Sequence, residues 1–170
     1  MANDAVTTAQ RRFAVHSTPH GWSAIRLGEV FDSIVDRGHS EELPVLSVTL
    51  DRGVVRRSSL DRSSEREVDR DQYLRAAPGD IAYNTMRMWQ GGSGLVRENG
   101  YLSPAYTICR PRVEECSDFW AHSFKSPEMI RSFLDHSQGV AKDRFRLYYH
   151  HFATVPALRA RSKPAPVMCA

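Results

Sequence analysis

The spacing of apolar and polar positions changes character along the chain. Leu43 to Leu50 (LPVLSVTL) is apolar and rich in β-formers, and predicts a core strand. Asp51-Arg52-Gly53 is a turn signal and Val54-Val55 opens a second strand, so this stretch predicts a hairpin. Pro78-Gly79-Asp80 is a turn by its chemistry, and Ile81 to Met86 (IAYNTM) alternates as a strand does. Leu95-Val96, Tyr101-Leu102 and Ala105 to Cys109 read as further short strands, punctuated by Asn99-Gly100 and Ser103-Pro104. Trp22 to Phe31, by contrast, sets Trp22, Ile25, Leu27, Val30 and Phe31 at a spacing that predicts a short amphipathic helix.

Ser117 to His136 carries the strongest helical pattern, with Phe119, Trp120, Phe124, Ile130, Phe133 and Leu134 on one face. Ser117 or Asp118 caps it, Pro127 divides it, and Ser126-Pro127-Glu128 starts its second half. Phe145 to Tyr149 reads as a last strand-like segment. Ser58 to Asp71 has charges of alternating sign and no apolar period, as a solvated loop or short exposed helix has. Strands come first and a helical pair later, with hairpins rather than crossovers between strands. That order predicts an α+β domain with a mostly antiparallel twisted sheet and a C-terminal helical pair. The expected organisation is a flexible leader over 1–20, one domain over 21–156 and a separate tail over 157–170.

Composition removes several classes. No run approaches the roughly 18 apolar residues of a membrane helix, and Met1 to Phe13 lacks an apolar signal segment. The expectation is a cytoplasmic chain without a membrane partner. Cys109, Cys116 and Cys169 have no metal-ligand spacing and read as reduced thiols. All but three of the 23 basic residues are arginine; the lysines are Lys125, Lys142 and Lys163. None follows a glycine, so there is no GK[ST] phosphate loop, and none completes a (D/E)xK nuclease core. Gly91-Gly92-Ser93-Gly94 is not a GxGxxG fingerprint. His150-His151 has no third ligand nearby in sequence. The residues therefore predict no catalytic group, no cofactor and no metal.

Three segments carry a family resemblance. They are Ala77-Pro78-Gly79-Asp80-Ile81 with Asn84-Thr85-Met86-Arg87-Met88-Trp89-Gln90-Gly91, then Gly100-Tyr101-Leu102-Ser103-Pro104-Ala105-Tyr106, and Leu147-Tyr148-Tyr149-His150-His151-Phe152. In this order they resemble the target recognition domain of type I restriction–modification specificity subunits, over about Trp22 to Pro156. The opening Trp22, Ile25-Arg26-Leu27-Gly28-Glu29-Val30 fits the same pattern. The resemblance implies a non-catalytic module that reads one half of a bipartite sequence in double-stranded DNA. It implies methyltransferase and restriction subunits as partners, which hold the chemistry. Ser103-Pro104-Ala105-Tyr106 is not the (D/N)PP(Y/F) box of an adenine methyltransferase.

The residues suit a reader. Asn84, Arg87 and Gln90 bracket Trp89 at a strand end beside a glycine-rich loop; Asn and Gln pair with adenine and Arg with guanine in the major groove. Arg52, Arg56 and Arg57 lie on or past the first hairpin, within reach of phosphates or as a solvated face. Lys142, Arg144 and Arg146 form a second basic group with Tyr148 and Tyr149. Trp89 and Met86 fit a core role as well as a DNA role, and Tyr106 and Tyr148 fit packing.

The tail departs from the family. ALRARSKPAPVMCA over 157–170 has neither the Glu-Gln pair nor the heptads of the family's long spacer helix, so the expectation is a single recognition domain with an unrelated, out-of-frame or truncated end. The resemblance implies that docking of methyltransferase subunits depends on that helix. The tail also explains the formal charge of +3: residues 151–170 contain Arg159, Arg161 and Lys163 and no acid, so the first 150 residues are neutral. The basic balance is therefore no argument for DNA. The local signal is the excess of Arg87, Arg97, Arg110 and Arg112 over Glu98 within 81–113.

Overall fold

The computed structural model describes residues 18–37, 42–60, 70–112, 115–141 and 144–160. Its centre is a four-stranded antiparallel sheet in the order β2-β9-β6-β7, formed by β2 (Phe31–Ile34), β6 (Ile81–Asn84), β7 (Ser93–Leu95) and β9 (Tyr106–Pro111). Three two-stranded ladders surround it. β1 (Trp22–Arg26) pairs with β10 (Pro156–Ala160), β3 (Leu46–Thr49) with β4 (Gly53–Arg56), and β5 (Leu74–Ala76) with β8 (Gly100–Leu102). The fold class is α+β.

Successive residues of a strand point to opposite faces, and β6 uses both. Ile81 and Tyr83 enter one core with Phe31, Trp120, Phe124, Phe133 and Phe152. Ala82 enters a second core on the other face, with Leu46, Leu74, Val96, Leu102 and Ile108. Helices α1 (Ser117–Ser123) and α2 (Pro127–His136) supply the aromatic side of the first core. The β3–β4 hairpin covers the second.

The break at Pro127 is where the sequence places it: Pro127 opens α2 and Ser126 Oγ accepts from Met129 N at 3.2 Å. The start of α1 differs. Cys116 stands at the N-cap, and Ser117 Oγ donates to Gly79 O at 2.8 Å instead of capping.

Two expectations are corrected. Trp22 to Phe31 is a strand, a single 3-10 turn (Leu27–Glu29) and the start of β2, not an amphipathic helix. A ten-residue helix is marginal by itself, whereas β10 offers β1 a five-residue ladder from Trp22↔Ala160 to Arg26↔Pro156. Phe145 to Tyr149 is not a strand: Arg146 makes an isolated bridge to Gln138, and Tyr149–Phe152 is a short helix, α3. Helical spacing lets Tyr149 donate its hydroxyl to Phe31 O at 2.7 Å while Phe152 stays fully buried.

β10 runs across the 156/157 boundary, with Ala157 buried; residues 161–170 and most of the leader lie outside the described residues. Cys109 is a free, buried thiol, and Cys169 lies outside the described residues.

Candidate nucleic-acid interface

Between β6 and β7 the chain makes one tight excursion over residues 84–92. Asn84 ends β6, and its Oδ1 accepts from Met86 N at 2.9 Å, which turns the chain out of the sheet. A 3-10 turn, Met88–Gln90, follows, with buried Met88 as its anchor. Gly91 then takes φ +81°, a left-handed value that suits glycine. Gly92 closes the loop by donating to Arg87 O at 2.9 Å; a Cβ at Gly92 would stand 2.8 Å from that oxygen.

This closure leaves Met86, Arg87 and Gln90 exposed and Trp89 half-buried. Arg87 Nη1 donates to Gln90 Oε1 at 3.1 Å. Trp89 Nε1 donates to Met86 O, within the same loop, at 3.0 Å, so the indole braces the loop. Met86, a core candidate by sequence, is 38% exposed.

The structure brings the loop together with the second basic group. Trp89 meets Phe145 edge to face, and Leu147 N donates to Thr85 O at 2.9 Å. Arg144 is exposed beside them, while half-buried Arg146 donates from Nη1 to Phe145 O at 3.0 Å. Tyr148, expected to pack, is 49% exposed and stacks on His150. Lys142 lies outside the described residues.

The hairpin arginines behave differently. Arg52 sits exposed at the turn. Arg56 grips Glu98 with its Nε and Nη2, an ion pair that holds the Glu98 carboxyl below its usual range. Arg57 Nη1 donates to the Tyr73 hydroxyl at 3.1 Å. Arg56 and Arg57 are thus turned to protein partners rather than to the 84–92 loop.

Ion pairing also thins the local arginine excess. Arg97 pairs with Asp118 at 3.1 Å, Arg112 with Asp32 at 3.0 Å, and Arg110 with buried Asp80 at 2.7 Å. Arg87 instead rests on a neutral amide.

Sequence reasoning missed Lys125. From the end of the helical pair's first half, its Nζ donates to Gly91 O at 2.5 Å and to Leu50 O at 3.3 Å, tying the loop to the hairpin turn. Burial pulls this ammonium below its ordinary pKa, and Asp51 opposes the shift. It lines an open cleft of about 260 Å³ with Arg52, Arg97 and His122. Its rarity among arginines was the one available signal. Among the described residues no group of His, Cys, Asp or Glu is placed to hold a metal ion.

No family model matches the chain, and no curated protein matches it. Solved structures do. The HsdS subunit from Thermoanaerobacter tengcongensis superposes with a TM-score of 0.52 at 16% identity, over 90% of this chain and 37% of that one. The type I restriction–modification S subunit from M. genitalium gives 0.53 at 9%, over 93% and 41%. A chain from a structural study of complex assembly and conformational transition in a type I R-M system gives 0.51 at 17%, over 97% and 41%. The chain spans about two fifths of the length of these solved chains, and it shares their fold over that part.

Proposed function

We propose that the chain is a non-catalytic DNA-recognition module that reads one half of a bipartite target in double-stranded DNA, as part of a type I specificity subunit. The observation that carries this reading is the joining of the 84–92 loop to the 144–149 segment through Trp89, Phe145 and Leu147. One surface then offers Asn84, Arg87, Gln90, Arg144 and Tyr148 on a fold shared with S subunits. Arg87, Asn84 and Gln90 are the base-reading candidates; Arg52, Lys142, Arg144 and Arg146 are backbone-contact candidates. Trp89 contributes by bracing, and Arg56 and Arg57 would have to leave Glu98 and Tyr73 to contact phosphate.

Separate methyltransferase and endonuclease subunits are the partners this function implies, and the cytoplasm its place. Among the described residues no helix is long and apolar enough to cross a membrane. The competing reading keeps the fold without specific binding, and the pairing of Arg56, Arg97, Arg110 and Arg112 with carboxylates favours it. Selection from a random duplex library separates the two. Enrichment of a short half-site that is lost in Arg87→Ala and Asn84→Ala supports the reader. Salt-sensitive retention with no enrichment leaves generic electrostatics alone.

A further inference from the structure

The hydrogen bonds inside the 84–92 loop restrict which base edge it fits. Asn84 Oδ1 is turned to Met86 N at 2.9 Å, and Gln90 Oε1 to Arg87 Nη1 at 3.1 Å. The partners settle the amide orientation, because a backbone N–H and a guanidinium only donate. Paired recognition of adenine by Asn or Gln needs the carboxamide oxygen to accept from the base N6 amine while the nitrogen donates to N7. Both oxygens already face the loop, so neither side chain is set for that pairing.

The side-chain groups left over are one-sided. Among the side chains of Asn84, Arg87 and Gln90, the groups not engaged in these two bonds are Asn84 Nδ2, Gln90 Nε2 and the remaining N–H groups of Arg87, all of them donors. Trp89 adds nothing, since its N–H is spent on Met86 O. A set of side-chain donors opposes the amines of adenine and cytosine. It matches an edge with two adjacent acceptors, which in the major groove is guanine through O6 and N7.

Resting on the DNA reading above, we propose that Arg87 reads a guanine in the half-site and that Gln90 is a positioning residue that fixes the plane of its guanidinium. Gln90 is three residues beyond Arg87 across the 3-10 turn, so its oxygen holds Nη1 and leaves Nε and Nη2 of the exposed Arg87 outside that bond. Lysine in place of Arg87 keeps the charge and loses the fork.

The test uses the full chain in a random duplex selection, followed by binding to the enriched duplex with 7-deazaguanine at each guanine in turn. The expected result is a guanine in the half-site and about a tenfold loss of affinity on 7-deaza substitution at one position. Arg87→Ala and Arg87→Lys lose the distinction between guanine and 7-deazaguanine there. Gln90→Ala blunts the distinction without a matching loss of non-specific binding, an effect a merely structural role does not produce. A half-site without guanine, or wild-type binding indifferent to 7-deazaguanine at every position, overturns the guanine assignment and leaves the DNA reading intact. No enrichment of any sequence overturns the DNA reading, and the assignment with it.

Discussion

The indole of Trp89 and the ring of Phe145 meet edge to face, with centroids 5.9 Å apart and planes at 89°. This side-chain contact joins the 84–92 loop to the segment that carries Arg144 and Arg146. Edge-to-face pairs add to the stabilisation that burial gives. Phe145→Ala therefore costs about 2 kcal/mol in urea unfolding, less than a full core truncation because both rings are half-buried. Amide exchange speeds up at Arg87 and Gly92 and stays unchanged along the β2–β9 ladder. Uniform acceleration across the sheet would show that the pair is not a local brace.

Arg110 and Arg112 look equivalent in sequence and are not. The Asp80 side chain is 2% exposed and takes two bonds from Arg110, at 2.7 and 2.9 Å, and a third from Ala77 N. Arg110→Ala leaves a buried carboxylate without its cation and costs about 3 kcal/mol. Asp32, paired to Arg112, is 58% exposed, and water screens that pair, so Arg112→Ala costs far less than Arg110→Ala. Parallel denaturation curves check the ranking, and equal losses would refute it.

These pairs show what local sequence signals reach. The hairpin turn at Asp51-Arg52-Gly53, the alternation in β6 and the break at Pro127 depend on neighbours in the chain, and all three appear in the structure. β1 depends on a partner far away: Ser23 bonds Arg159, 136 positions on. Nothing near Trp22 could reveal that strand. The exposed loop was legible because its glycines must allow a sharp return. The ion pairing within the arginine excess was not legible because the carboxylates lie 21, 30 and 80 positions from Arg97, Arg110 and Arg112.

Gly94 faces Ala82 across the β6–β7 ladder and lies beneath the hairpin. A Cβ there would stand 2.6 Å from Val54 N and 2.7 Å from Gly53 Cα, both backbone atoms. Neither can swing aside as a side chain does, so the hairpin must lift. Gly94→Ala is expected to cost about 3 kcal/mol, with loss of protection along β3 and β4. A crystal structure of that variant with the hairpin unmoved would contradict the crowding.

Burial lowers the pKa of His151 below its ordinary 6.5, and His150, with its ring centroid 4.0 Å away, and His136 add to the shift. The unfolded chain then takes up this proton more readily than the folded one. The His151 contribution is complete above about pH 6.5, declines as the pH falls through that value, and levels off below the folded pKa. His151→Gln therefore gains on the wild type as the pH is lowered from about 8 to about 5. A stability difference independent of pH would remove His151 from the acid response.

Lys125 holds the loop to the hairpin through carbonyls 34 and 75 positions away in sequence, at Gly91 and Leu50. A charged donor to a carbonyl is worth more than a neutral one, and Gly91 is buried, so its oxygen has little access to water. Lys125→Met keeps most of the stem and removes the ammonium. The expected cost is about 2 kcal/mol, read as a lower urea midpoint at unchanged slope. Because the two anchored carbonyls belong to different turns, the variant also loosens one against the other. Exchange then rises at the Gly91 and Gly92 amides, which bond Met88 O and Arg87 O, each at 2.9 Å. Lys125→Arg restores part of the stability with its own donors. If Lys125→Met leaves both amides as protected as before, the ammonium is a solvated surface charge and the loop holds itself in place.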